Sequence, residues 1–274
     1  MIEPALFIFY KTKRSSTMHA SYHNHTWRCN HAKGTEEEYV LAAIRGGYGV
    51  FGFSDHAPHH YVPPFVSRGR MQVSDLGDYL RKSRELADKY GDKITIKTGL
   101  EMECYPAFFD RDIEAYRNAG IEYLILGQHA VGNESTADYN DVFKLTDSKE
   151  MLVRHTDICI SMLETGKFSL IAHPDVMHYV GDNDFYLSQM ERLIRAAKRT
   201  STPLEINMYG MSLGRHYPNP LFWSLASEIG ADAVIGADAH SPERVYKQSE
   251  LDEAERFAEK YKINVLDQIR FKPF

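Results

Sequence analysis

Histidines and carboxylates with metal-ligand spacing lie near both ends of the chain. The stretch SYHNHTWRCNH, residues 21–31, contains His23, His25 and His31. His23 and His25 are two residues apart, a spacing that in a β-strand directs both imidazole rings to the same side. Asp238 and His240 share this spacing. Because imidazole and carboxylate groups bind divalent transition metals, these pairs predict parts of one metal site.

The pattern of apolar runs predicts the elements that would position these residues. Short apolar runs alternate with longer amphipathic segments, as in enzymes built from βα units. Seven runs have strand character: ASYHNH, YGVFGFSDH, ITIKTGLEME, YLILGQH, FSLIAH, PLEIN and DAVIGADAH. Most helical segments follow a residue that can cap free amides, and Asp147 and Glu150 have the spacing of a capping box. Seven units predict a closed parallel barrel, with a doubly wound open sheet as the alternative.

Six of the seven predicted strands end in a potential metal ligand. In a parallel barrel the C-terminal strand ends meet at one face, where the active site lies. Glu101 and Glu103 share one face of the third strand, and Glu101 is the preferred ligand because it directly follows the apolar run. One strand-end histidine is usually only a hydrogen-bonded polar residue, but recurrence at six strand ends favours a metal site. The predicted ligands are His23, His25, His31, His56, Glu101, His129, His173, Asp238 and His240.

This ligand set predicts a catalytic site for more than one metal ion. Nine ligands exceed what one ion requires, and the mixture of imidazole and carboxylate allows Zn²⁺, Fe²⁺ or Mn²⁺. Because no thiolate is needed and open coordination positions are expected, the site is predicted to be catalytic rather than structural. We therefore expect two or three divalent transition-metal ions per chain.

The composition predicts a single folded domain. The chain has 274 residues, of which 43% are hydrophobic, and it contains no Pro/Gly/Ser-rich linker. A formal net charge of −6 disfavours nucleic acid as a partner, and no run approaches the roughly 18 apolar residues of a membrane span. The three cysteines form no CxxC pair, which is typical of a cytoplasmic protein. Residues 1–17 are predicted to be an N-terminal extension dispensable for folding of the domain 18–274.

The order of the motifs resembles that of the polymerase and histidinol phosphatase (PHP) family of metal-dependent phosphoesterases, and within it the histidinol-phosphatase branch. The resemblance runs from residue 20 to about residue 245. It is carried by HNH, CNHAKGTEEEYVLAAIRGGY, FGFSDHAP, GLEMECYP, LGQHAVGNE, AHPD, EINMYG, GRHYPN and IGADAH. It implies a distorted (β/α)₇ barrel, similar to a TIM barrel, that holds three metal ions at the C-terminal ends of its strands.

The resemblance also implies how the ligands divide among three ions. The first ion would be held by His23, His25, Glu101 and Asp238. The second would share Glu101 as a bridging ligand and add His129 and His173. The third would be held by His31, His56 and His240. Every expected ligand is present, whereas the loop HAPHHYVPPFVSRGRMQ varies in length and sequence among such proteins.

A site of this kind suits hydrolysis of a small phosphorylated substrate. Two ions bridged by one water lower its pKa, while Glu101 and Asp238 hold the ions in place. Glu101, Asp238 and Arg215 are the predicted catalytic residues. Arg215 is the first candidate for a cation that grips the phosphate, and Arg70 and Arg154 are weaker ones. Arg70, Arg215 and His216 are the predicted substrate contacts.

The resemblance implies a phosphoric monoester hydrolase that converts L-histidinol phosphate to L-histidinol in histidine biosynthesis. Two alternatives remain open at this point. One is another PHP phosphoesterase, acting on nucleotide phosphates or oligonucleotide ends. The other is a non-catalytic metal-binding module, which the complete ligand set disfavours.

Overall fold

The computed structural model describes residues 20–274 and contains one large parallel sheet. The predicted N-terminal extension, residues 1–17, lies outside the described residues. The strands are β1 (Ala20–Ser21), β2 (Val50–Phe53), β3 (Thr95–Met102), β4 (Tyr123–Leu126), β5 (Ala130–Val131), β6 (Asn140–Asp141), β7 (Leu170–Ile171), β8 (Leu204–Asn207), β9 (Asp232–Gly236) and β10 (Asn264–Val265). β5 and β6 form a separate antiparallel pair, and the other eight strands form the sheet in the order β1-β2-β3-β4-β7-β8-β9-β10.

The sheet is a curled, barrel-like sheet, which confirms the predicted fold class. The strands follow one another in chain order without the reversal of a doubly wound sheet. The backbone N–H of His25 donates to the carbonyl of Ala239 at 2.9 Å, which joins the ends of β1 and β9. β10 pairs with the beginning of β9 at Asp232 and Ala233 and is an eighth strand that the sequence did not predict.

Helices cover the outside of the sheet, and most connect consecutive strands. They are α1 (Glu36–Arg45), α2 (Leu76–Tyr90), α3 (Phe109–Ala119), α4 (Lys149–Glu164), α5 (Asn183–Arg199), α6 (Met208–Ser212), α7 (Pro220–Ile229) and α8 (Gln248–Tyr261). The predicted capping box at Asp147 was wrong. α4 begins one residue later than predicted, so the hydroxyl of Ser148 accepts the hydrogen bond from the backbone N–H of Met151.

Side chains along the strands alternate between two hydrophobic clusters, and the same alternation determines which residues point towards the inside of the barrel. In β4, Tyr123 and Ile125 belong to a small cluster inside the barrel, whereas Leu124 and Leu126 belong to the larger cluster between sheet and helices. Tyr123 is fully buried, and its hydroxyl donates to backbone carbonyls at 2.7 and 2.9 Å. Within residues 20–274, no helix is long and apolar enough to cross a membrane.

Candidate metal centre

The predicted ligands gather at the C-terminal ends of the strands. His23 and His25 follow β1, His56 follows β2, and Glu101 lies within β3. Four more ligands follow β4, β7 and β9 in the same way: His129, His173, Asp238 and His240. His31 lies further along the chain from β1, after a 3₁₀ turn at Trp27–Cys29. Because all these strands are parallel, their ends meet at one face of the barrel.

The first group of side chains lies deepest in the barrel. The Nε2 atoms of His23 and His25 are 3.0 Å apart. Asp238 Oδ1 lies 3.5 Å from the first of these nitrogens and 3.2 Å from the second. The carboxylate of Glu101 completes the group, at 3.5 Å from His23 Nε2 and 3.4 Å from His25 Nε2. These are the four side chains expected to hold the first ion.

Two further pairs of imidazole nitrogens repeat this arrangement. The Nε2 atoms of His129 and His173 are 3.2 Å apart, and Glu101 Oε1 lies 3.3 and 3.0 Å from them. Glu101 therefore contacts both the first and the second group. The Nε2 atoms of His31 and His240 are also 3.2 Å apart. His56 joins this third pair, with ligand atoms of all three residues within 4.8 Å of one another.

These distances fit metal coordination. Nitrogens bound to one tetrahedral Zn²⁺ at about 2.0–2.1 Å are roughly 3.3 Å apart, close to the spacing of the three pairs. Within residues 20–274, the buried atoms Glu101 Oε2 and Asp238 Oδ1 have no hydrogen-bond partner. A buried carboxylate oxygen without a donor is unfavourable unless a cation is nearby. The arrangement therefore fits ions between these side chains.

The Nδ1 atoms of several histidines are fixed from behind, which directs their Nε2 atoms into the site. Carboxylates bind two of them, with His23 Nδ1 at 2.8 Å from Glu205 and His129 Nδ1 at 2.8 Å from Glu103. Backbone carbonyls bind His31 Nδ1 at 2.7 Å and His240 Nδ1 at 3.0 Å. A proton held on Nδ1 leaves the lone pair of Nε2 free for a metal.

Glu205 connects three predicted ligands, and the sequence interpretation missed it. Its side chain is fully buried. Besides the bond from His23, Oε2 accepts from the backbone N–H of His173 and from Asn207 Nδ2, both at 2.9 Å. The same Asn207 amide donates to Asp238 Oδ2 at 3.1 Å. The available signal was PLEIN, the one predicted strand that ends without a ligand.

Two glycines make room for the carboxylates. A Cβ atom at Gly127 would lie 2.0 Å from Glu101 Oε1, and a Cβ atom at Gly236 would lie 1.8 Å from Glu205 Oε1. Real non-bonded contacts of this kind do not occur at such distances. The glycines in LGQH and IGADAH therefore have a steric role next to the ligands.

The electrostatics of the site favour cations. Burial opposes ionisation of Glu101 and Asp238, but the surrounding histidines hold the pKa of both carboxyls well below their usual values. Burial likewise lowers the pKa of His129, but Glu101 and Glu103 raise it to about 10. Ionised carboxylates surrounded by imidazoles provide a negative environment that suits a metal cation.

Arg215 is exposed and lies beside two aromatic rings that stack on predicted ligands. Its guanidinium carbon is 5.4 Å from the ring centroid of Phe143 and 5.5 Å from that of Tyr209. Phe143 stacks on His129 and Tyr209 stacks on His240. Among the described residues no carboxylate pairs with Arg215, so its charge is available at this face.

The other predicted substrate contacts have partners within the protein. Arg70 is buried and forms two bonds to Glu103, at 2.6 and 3.0 Å, and one to a backbone carbonyl at 3.0 Å. His216 Nε2 lies 2.6 Å from the carbonyl oxygen of Val176. Arg154 is exposed on α4, 4.0 Å from Asp138. A role for these residues in substrate binding stays a prediction, and Arg215 is the best placed of the group.

The fold and site define a parallel barrel protein with clusters of histidine and carboxylate side chains that could hold metal ions. The family model of the PHP domain matches residues 21–208, so the chain belongs to the PHP domain family.

Individual relatives agree with this assignment. The chain is 25% identical over 236 residues to a "probable histidinol-phosphatase" of Deinococcus radiodurans, covering 81% of this chain and 86% of the relative. It is also 25% identical to a "probable histidinol-phosphatase" of Schizosaccharomyces pombe, covering 83% and 82%. Its fold is similar to that of histidinol phosphate phosphatase from Lactococcus lactis, a structure with zinc, L-histidinol and phosphate. The TM-score is 0.69 at 18% identity, with 92% of this chain and 99% of that chain covered.

Proposed function

We propose that this protein is a metal-dependent phosphate monoester hydrolase whose substrate is L-histidinol phosphate, in histidine biosynthesis. The observation that carries the proposal is the three pairs of imidazole Nε2 atoms at 3.0–3.2 Å, with Glu101 in contact with the first two pairs. The names of the relatives support the choice of substrate.

The side chains have separable roles in this proposal. Divalent ions held by the nine ligands would lower the pKa of water and neutralise charge on the phosphate oxygens. Glu101 fixes the separation of the first two ion positions because it contacts both groups of histidines. Glu103 and Glu205 hold imidazole rings in a ligating orientation. Arg215 donates hydrogen bonds to the phosphate, since a guanidinium can contact two oxygens at once.

A phosphate-release screen on purified protein of known metal content tests the proposal. L-histidinol phosphate should be the best substrate in a panel with nucleotide monophosphates and a 5′-phosphorylated oligonucleotide. Preference for a nucleotide or an oligonucleotide would show that the phosphatase acts on another substrate. A protein with two or three ions that releases no phosphate from any ester would show that the domain only binds metal.

Arg215→Ala tests the phosphate contact, with Arg81→Ala, an exposed arginine on α2, as the matched control. Loss of a charged hydrogen bond should lower kcat/KM by about ten- to a hundredfold. Metal content should stay unchanged in both variants. Loss of metal in Arg215→Ala would instead indicate a structural role.

A further inference from the structure

A carboxylate lies at the edge of a cluster of aromatic rings, near the second predicted ion position. Glu134 Oε1 accepts a hydrogen bond from the hydroxyl of Tyr61 and lies 2.9 Å from Arg70 Nε. The ring centroid of Tyr61 is 4.9 Å from that of Phe65 and 6.3 Å from that of Tyr105. Phe108 is a further neighbour, with its centroid at 5.5 Å. We call these four rings and Glu134 the aromatic pocket.

The charge of Glu134 is not balanced by the arginine beside it. The two terminal nitrogens of Arg70 both bond to Glu103, which leaves only its Nε beside Glu134. Two carboxylates therefore share one guanidinium. In the part of the chain from residue 20 onwards, Glu134 Oε2 has no partner, and the side chain is 20% exposed. Glu134 thus keeps one oxygen and negative charge for a ligand.

The aromatic pocket adjoins the predicted reaction centre. Glu103, which binds Arg70, also binds Nδ1 of His129 at 2.8 Å. Arg215 reaches the same imidazole through Phe143, which stacks on its face. Glu134 and Arg215 are therefore each linked to His129 through intervening side chains, Glu134 through Arg70 and Glu103 and Arg215 through Phe143. Both charged groups thus belong to the surroundings of the second predicted ion position.

We propose that Glu134 and the aromatic pocket bind a positively charged leaving group and thereby select amine-bearing phosphate esters. A carboxylate beside a cluster of aromatic rings suits an ammonium or imidazolium group, because ion pairing and cation–π attraction can act together. This inference rests on the proposed function. L-Histidinol has a primary amine, which is protonated at neutral pH, as well as an imidazole.

Glu134→Gln tests this selectivity, because it preserves the shape and an acceptor for Tyr61 but removes the charge. The measurement compares kcat/KM for L-histidinol phosphate with kcat/KM for glycerol 3-phosphate, whose alcohol is uncharged. We expect about a ten- to hundredfold loss for the first substrate and less than about a threefold change for the second. Glu122→Gln is the matched control. Its carboxylate lies just before β4, at the opposite end of the strands, and bonds to Lys97.

An equal loss for both substrates would show that Glu134 only braces Arg70 and Tyr61, and would overturn the inference. An unchanged preference would overturn it as well. If Glu134→Gln does not fold, the wild-type protein still decides the question through product inhibition. At a pH above the imidazole pKa, L-histidinol should inhibit hydrolysis of glycerol 3-phosphate at least tenfold more strongly than its uncharged N-acetyl form does. Equal inhibition by the two compounds would contradict the proposal.

Failure of the proposed function would be recognised separately. If the wild type hydrolyses other phosphate esters but not L-histidinol phosphate, phosphoethanolamine and glycerol 3-phosphate form the cationic and uncharged pair. Loss of the preference for phosphoethanolamine in Glu134→Gln would then support the aromatic pocket while the substrate assignment falls. If the wild type hydrolyses no ester at all, both proposals fail.

Discussion

Glu205→Gln should weaken binding of the first metal ion without unfolding the barrel. The carboxylate accepts from three donors: His23 Nδ1, the backbone N–H of His173 and Asn207 Nδ2. A glutamine has one oxygen, so one of its two positions must present an NH₂ group. If this NH₂ group faces His173 and Asn207, it meets their N–H donors and forms no hydrogen bond with them. If it faces His23, the imidazole proton must move to Nε2, which then cannot bind a metal.

The expected loss of metal affinity follows from the bond that is removed. A hydrogen bond to a charged group contributes about 1.5–3 kcal/mol, which corresponds to roughly a ten- to hundredfold change in affinity. Changes to carboxylates that orient ligating histidines have effects of the same size. The barrel should remain folded because the change is nearly isosteric and the rest of the core stays intact.

Competition with a chelator measures this effect directly. Zinc affinity and metal content are determined for the wild type, Glu205→Gln and the control Glu122→Gln, with circular dichroism to check the fold. We expect one class of ion to be weakened ten- to a hundredfold in Glu205→Gln alone. If this variant binds every ion with wild-type affinity, the argument from the imidazole tautomer is wrong.

Three further changes test other parts of the structure. Gly127→Ala should displace Glu101 and lower metal content, because the added Cβ would lie 2.0 Å from Glu101 Oε1. Gly77→Ala in α2, where nothing lies within 4 Å of the added Cβ, should retain the metal. Equal metal content in the two variants would contradict this prediction. Glu101→Gln should lose at least one ion and several orders of magnitude in turnover, as elemental analysis and phosphate release would show; wild-type behaviour would refute the bridge. Burial lowers the pKa of His155 to about 4. As the pH falls, His155 takes up a proton near pH 6.5 in the unfolded chain but only near pH 4 in the folded protein. Lowering the pH from 7 to 5 should therefore cost about 2 kcal/mol of stability through this residue. Urea unfolding of His155→Gln should show a correspondingly smaller loss, and an equal loss would refute this assignment.

The fold could be predicted because each long strand has a clear apolar signature. Buried parallel strands are apolar on both faces, so the seven runs stand out from the amphipathic helices. β10 has only two residues, Asn264 and Val265, which is too short for any periodicity to be detected. The helix cap at Ser148 was placed one residue early because Asp147 is an equally good capping residue by type.

The convergence of the ligands could be predicted because strand direction fixes where the strand ends meet. The carboxylates behind them were harder to recognise. Glu205 has the sequence context of any polar residue near a strand end, and only its distance of 2.8 Å from His23 reveals its role. Glu103 shares a face with Glu101, and the sequence alone suggested only an alternative ligand. In the structure Glu103 instead connects His129 to Arg70.

The charges of the ligands and of the carboxylates behind them also suggest why imidazoles outnumber carboxylates among the predicted ligands. Neutral imidazoles hold a divalent ion without cancelling its charge, whereas each carboxylate cancels part of it. Three divalent ions would carry more positive charge than the four buried carboxylates Glu101, Glu103, Glu205 and Asp238 can balance, and Arg70 offsets one of these. The loaded centre would therefore retain a positive excess beneath Arg215. Such an excess suits a phosphate dianion, and it makes the negative charge of Glu134 the contrasting feature that a cationic leaving group can recognise.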